Sequence, residues 1–156
     1  MTEERRLLLI EQLRPPVGAL SIELPAGVIE KQETPRAAAI RELQEETGYR
    51  ARSDKPLFAG STSPGVTDDQ NTICLARELR RIDESHRDRE FPDGTRKHHQ
   101  IRGAKGESES LFVWEVPIRG VHAWLKRKRT GGYVIDMRVC AGLHLLEHHS
   151  EWSLSS

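Results

Sequence analysis

A chain of 156 residues has room for one domain with a substantial core. Its 24 Lys and Arg balance 24 Asp and Glu, which excludes a general bias toward polyanions such as nucleic acid. Charged residues make up 31% and aromatics 5%, and no apolar run approaches the roughly 20 residues a membrane-spanning helix needs; this composition suits a soluble enzyme with no membrane partner.

In chain order, Arg6 to Gln12 predicts a strand around the apolar run Leu7 to Ile10. The Met1 to Arg6 start has no secretory apolar region behind it, because that run is too short. Pro15-Pro16 breaks the strand, and Ala19 to Leu24 predicts a second one. Thr34 as N-cap, Pro35 at the first helical position and good helix formers from Arg36 to Thr47 predict a helix, ended by Gly48. Strands are expected within Tyr49 to Ala59 and within Asn71 to Leu79. Residues 80–106 are polar, dense in both charges and marked by Pro92, Gly94, Gly103 and Gly106, which predicts a mobile loop. Leu111 to Val116 predicts a strand ended by Pro117, followed by helices over Gly120 to Lys128 and Asp136 to His148. The last of these carries Val139, Leu143 and Leu146 at helical spacing. Strands interrupted by helices imply an α/β fold with a mixed sheet flanked by helices.

The most constrained stretch runs from Gly27 through Glu33 to Arg41-Glu42-Leu43-Gln44-Glu45-Glu46-Thr47-Gly48-Tyr49. On a helix, Glu42, Glu45 and Glu46 share a face, because residues three and four apart are neighbours there. Like charges so placed repel and need compensation. Hard carboxylate oxygens suit Mg²⁺ or Mn²⁺, which take a few carboxylates plus substrate phosphate and water. A divalent ion neutralises a diphosphate that otherwise repels a nucleophile. Ala39, Ile40 and Leu43 offer the same helix an apolar side, and Gly27 permits close backbone approach.

This stretch matches G-x5-E-x7-R-E-U-x-E-E-x-G-U (U apolar) at every fixed position and resembles the signature of the Nudix hydrolase family. Gln12 to Gly18, Ile22 to Gly27, Ser63-Pro64-Gly65 and Val134 to Val139 further resemble the ADP-ribose/ADP-sugar pyrophosphatase branch, including animal ADP-sugar diphosphatases. The resemblance implies a Nudix-type α/β/α sandwich with a mixed β-sheet over a single domain, residues 1–156. It implies metal ligation by the Ala26 carbonyl, Glu42, Glu45 and Glu46, and a Glu33–Arg41 ion pair fixing loop against helix. Arg14 is expected on the substrate phosphates, Glu23 beside the substrate, and Pro64 and Gly65 at the pocket wall near the terminal ribose. Catalysis falls to Glu46 and to a loop glutamate that orients or deprotonates water. Alignment on Pro117 selects Glu109 for that role, with Glu107 its rival.

The implied function is Mg²⁺-dependent (or Mn²⁺-dependent) hydrolysis of ADP-ribose or related nucleoside-diphosphosugars to AMP and a sugar phosphate. Alternatives are a weakly active short form acting as a binding or regulatory partner, and hydrolysis of oxidised nucleoside diphosphates. Branch members carry an N-terminal β-domain ahead of the first strand here, so the expectation is that this domain and its adenine cage are absent and a homodimer is weakened. Cys74 and Cys140 form no CxxC and read as reduced core cysteines of a cytoplasmic protein. Lys126 to Arg129 reads as an exposed helix end rather than a nuclear signal. The His98-His99 and His148-His149 pairs read as surface histidines, and Trp114 and Trp124 as core or interface aromatics.

Overall fold

A computed structural model describes residues 5–82, 88–102 and 109–148; for Ser53, residues 100–102, Glu109 and Ser110 it describes the backbone alone. The elements are β1 (Arg6–Arg14), β2 (Ala19–Glu23), α1 (Pro35–Thr47), β3 (Tyr49–Arg50), β4 (Ser53–Gly60), β5 (Asn71–Arg77), β6 (Arg80–Arg81), β7 (Arg89–Glu90), β8 (Arg96–Arg102), β9 (Glu109–Pro117), α2 (Val121–Thr130), β10 (Val134–Ile135) and α3 (Met137–Glu147). A six-stranded sheet runs in the order β10-β2-β1-β9-β8-β7, with β10 parallel to β2 and the other neighbours antiparallel. The pairs β3–β6 and β4–β5 stand outside it.

The continuous apolar run of β1 is explained by burial on both sides. Successive side chains of a strand point to opposite faces. Leu9 therefore joins Ile22, Trp114, Val116 and the α2 and α3 residues Trp124, Leu125, Val139 and Leu143 in one core cluster. Leu8 and Ile10 join Leu43 of α1, Leu111 and Val113 in the other. The sheet is thus the middle layer between α1 on one side and α2 with α3 on the other.

Helix α1 begins and ends where its end residues dictate. The Thr34 hydroxyl accepts from the Ala37 N–H at 3.2 Å, and Pro35 occupies the first turn. Gly48 adopts φ 70° and its N–H reaches the Gln44 carbonyl at 2.9 Å, a conformation costly for any residue with a Cβ.

Three expectations are corrected. The loop expected over residues 80–106 contains β6, β7 and β8, and β8 pairs with β9 at seven consecutive positions from Arg96↔Glu115 to Arg102↔Glu109. Backbone pairing does not require apolar side chains, and β8 pays its polar character into contacts: Lys97 meets Glu11 at 2.7 Å and Arg96 meets Glu90 at 2.8 Å. Residues 83–87 and 103–106 of that expected loop lie outside the described residues. His98 is 3% exposed rather than a surface histidine, because β8 turns it under α1, where its Nε2 lies 3.2 Å from the Thr47 carbonyl. Cys140 is exposed on α3 and Cys74 half-buried on β5, so neither is a core cysteine. Trp114 and Trp124 are core residues, 5% and 4% exposed, as their size predicts.

Candidate active site

The β2–α1 loop, α1, the β4–β5 hairpin and the start of α3 enclose a cleft of about 1150 Å³. Glu42 and Glu46 line it, yet are only 3% and 2% exposed. The Ala26 N–H donates to Glu46 Oε2 at 2.9 Å, tying loop to helix. A Cβ on Gly27 would lie 1.8 Å from Glu42 Oε1, so any side chain here would displace the Glu42 carboxylate or the loop. The conformational licence of glycine matters less here than its missing atom.

Arg41 locks this loop. Its Nε and Nη2 donate to Glu33 at 3.0 and 2.9 Å, Nη2 to the Val28 carbonyl at 3.1 Å, and Nη1 to Glu42 Oε1 at 2.7 Å. These contacts, Glu33 foremost, raise the pKa of the guanidinium, and the Arg41 hydrogen bonds hold the Glu33 carboxyl below its ordinary value. The expected loop-to-helix ion pair is present. Glu45, by contrast, is 43% exposed in its side chain and meets Arg41 at 3.5 Å. It does not join Glu42 and Glu46 against the loop. Among the described residues, no group of three His, Cys, Asp or Glu side chains is arranged to hold a metal. Two buried carboxylates beside a backbone turn remain, and this hard-oxygen donor set fits Mg²⁺ or Mn²⁺, which draws further ligands from water and phosphate.

Arg14 also lines the cleft. Its Nε and Nη2 donate to the two oxygens of Glu23, both at 2.7 Å, in a bidentate pair. Glu23 is 4% exposed in its side chain, Arg14 47%. Burial alone would raise the Glu23 carboxyl, but the Arg14 hydrogen bonds and charge outweigh it and hold the group low. Glu23 therefore aims Arg14, a role the sequence expectation of a substrate contact did not contain. Pro64 and Gly65 are exposed and do not line the cleft, although Thr62 and Ser63 do. Glu109 opens β9 opposite Arg102, with its side chain outside the description, and Glu107 lies outside the described residues. Sequence reasoning assigned no role to Asp136 and Arg138, which line the same cleft. The sequence placed Asp136 only at the start of the last helix, since nothing local says what α3 packs beside.

A family model described as NUDIX domain matches residues 1–102. The chain belongs to the Nudix family. An ADP-ribose pyrophosphatase of Bacillus subtilis is 40% identical over 84 residues, 54% of this chain and 45% of that protein. An ADP-sugar pyrophosphatase of Mus musculus is 46% identical over 61 residues, 39% of this chain and 28% of that protein. The chain thus spans less than half the length of these curated relatives. A crystal structure of an ADP compounds hydrolase superposes with a TM-score of 0.67 at 19% identity, covering 96% of this chain and 68% of that one, and shows the same Nudix fold.

Proposed function

We propose that this Nudix chain hydrolyses the diphosphate of ADP-ribose or a related nucleoside-diphosphosugar, releasing AMP and a sugar phosphate. The observation that carries the reading is the pair of buried carboxylates, Glu42 and Glu46, held against the Ala26–Gly27 turn in a cleft that also presents a clamped guanidinium, Arg14. Glu42 and Glu46, with the Ala26 carbonyl and Glu45 completing the set by resemblance, would hold Mg²⁺ or Mn²⁺. When bound, such an ion neutralises the diphosphate and lowers the pKa of a coordinated water. Arg14 binds a phosphate with its guanidinium aimed by Glu23, and Arg41 keeps Glu42 in place. Glu109 is assigned the orienting or deprotonating role toward water, with Glu107 as the rival. The names of the relatives, an ADP-ribose pyrophosphatase and an ADP-sugar pyrophosphatase, support the substrate class.

A homodimer belongs to the same proposal. Leu13 and Leu20 face each other across the β1–β2 hairpin and are 62% and 38% exposed, with Val17 in the turn 56% exposed, an apolar surface for a second copy to cover. The deciding experiment is product analysis with and without Mg²⁺ across ADP-ribose, other nucleoside-diphosphosugars and oxidised nucleoside diphosphates. AMP and ribose 5-phosphate from ADP-ribose, only with metal, is the expected result. No cleavage of any diphosphosugar overturns the reading, and preference for the oxidised nucleotides moves it to that class.

A further inference from the structure

Arg138 stands in the cleft with part of its guanidinium uncommitted. Its Nε donates to the Asp136 oxygens at 3.0 and 3.1 Å and its Nη2 at 2.5 Å, whereas Nη1 has no hydrogen-bond partner among the described residues. The side chain is 33% exposed, enough to meet a ligand but too enclosed to sweep freely through water. Asp136 is itself anchored. It caps α3, accepting the Arg138 backbone N–H at 2.7 Å, and its own N–H reaches the Ile22 carbonyl at 3.0 Å.

The parallel pairing of β10 with β2, Val134↔Ser21 and Ile135↔Ile22, brings this turn beside Glu23. Arg14 and Glu23 act electrostatically on Arg138, and Arg14 on Asp136. Two guanidinium groups, each gripped bidentately by its own partly or fully buried carboxylate, thus line the same cleft as Glu42 and Glu46. The carboxylates set the direction of each fork and neutralise the mutual repulsion of the arginines. An anion with several oxygens satisfies the Nη1 donors of Arg138, and Arg recognises phosphate through such planar forks.

We propose that Arg138 is a second phosphate-binding residue, donating through Nη1 to the diphosphate of the substrate, with Asp136 as its positioning residue. This deepens the function proposed above and rests on it for the identity of the substrate, though not for the anion site itself. The bland alternative is an ion pair that only caps α3, in which case ligand affinity does not depend on the guanidinium.

Calorimetric titration separates the two. ADP-ribose (with EDTA to suppress turnover) and inorganic pyrophosphate are titrated into the wild type, Arg138→Gln, Arg138→Lys and Asp136→Asn, with thermal unfolding of each as the fold control. Arg138→Gln is expected to weaken both ligands by about tenfold or more, the scale of a lost hydrogen bond to a charged group. Arg138→Lys keeps the charge without the fork and is expected to weaken them by about threefold, and Asp136→Asn to weaken them less than Arg138→Gln. If Arg138→Gln fails to fold, Arg138→Lys decides by the same criterion. Unchanged affinity in a folded Arg138 variant overturns the proposal, as does absence of measurable binding of either ligand to the wild type. Arg138-dependent pyrophosphate binding by a chain that cleaves no diphosphosugar would keep the anion site and reject the proposed function. Cleavage of ADP-ribose with Arg138-independent binding would do the reverse.

Discussion

At the scale of single residues, the glutamates of α1 divide by environment. Glu42 and Glu46 are buried against the loop, while Glu45 is 43% exposed beside Arg41. Glu46→Gln is therefore expected to cut turnover by about 10²-fold or more, on the scale of removing a key electrostatic partner of the transition state. Glu45→Gln is expected to cost about tenfold or less on the same scale. Steady-state kinetics at saturating Mg²⁺ checks both, and equal losses would place Glu45 with the other two. Gly27→Ala offers an orthogonal check. Its Cβ would overlap Glu42 Oε1, which Arg41 holds at 2.7 Å, so the carboxylate or the loop must shift. Activity should fall steeply while thermal stability changes little, and a fully active Gly27→Ala enzyme would show that Glu42 has another working position. For the loop glutamate, Glu109→Gln should lower kcat with substrate binding nearly intact, and Glu107→Gln should do less. The reverse ranking moves the assignment by two residues.

At the scale of elements, α1 is the component whose boundaries are most local in origin. Thr34→Ala removes the oxygen that accepts from the Ala37 N–H and should cost about 1 kcal/mol, measured by denaturant unfolding. No loss would mean that loop contacts rather than the cap hold the helix start. β8 shows the opposite dependence. Its residues read as a loop, and pairing with β9 along its length and with β7 at its start makes a strand of them, burying His98 beneath α1. Burial, joined by the Arg81 charge, pushes the His98 imidazole below its ordinary 6.5. The unfolded chain then binds a proton that the folded one refuses, so His98 favours folding fully above about pH 6.5 and loses that contribution as pH falls through the lowered folded value. His98→Gln should flatten the stability curve just below pH 6.5, and an unaltered slope there would assign the titration to another group.

At the scale of the whole molecule, the two faces of the sheet carry different polar anchors. On the α2 face, buried Glu11 accepts from Trp114 Nε1 at 2.8 Å, Lys97 at 2.7 Å and Lys128 at 3.3 Å, joining β1, β8, β9 and α2 through one carboxylate. Lys128 lies 3.8 Å from the Trp114 ring centre and 4.2 Å from that of Tyr133, and burial lowers its pKa. Glu11→Ala leaves two enclosed ammonium groups and an indole N–H without this partner, and should destabilise by about 2–4 kcal/mol. A change below about 1 kcal/mol would mean that water replaces the carboxylate at little cost. Burial would raise both Glu11 and Glu23, yet their cationic and hydrogen-bonding partners hold both below the ordinary 4.5. Their stabilisation is thus complete above about pH 4.5 and lost as pH falls through the depressed folded values, which acid unfolding of Glu11→Gln against the wild type should register.

Local signals determined much of this. The ends of α1 lie in Thr34, Pro35 and Gly48, the two-sided burial of β1 in its unbroken apolar run, and the Glu33–Arg41 clamp and the glutamate spacing in the Nudix signature. The helix ends, the apolar run and the glutamate spacing were legible because each depends on neighbours in the chain or on a fixed helical period, whereas the Glu33–Arg41 pair was implied by the family resemblance. Other features required the assembled fold. Glu45 turns outward and Glu46 inward because the loop packs on one side of the helix alone. Residues 96–102 become a strand because β9 offers a partner. Glu23 grips Arg14 across the β1–β2 hairpin, and Arg138 reaches the cleft because β10 docks beside β2 more than 100 positions along the chain from Glu23. Contacts between residues so distant in sequence leave no periodicity or spacing to read, and burial of a charge is decided by what finally packs over it.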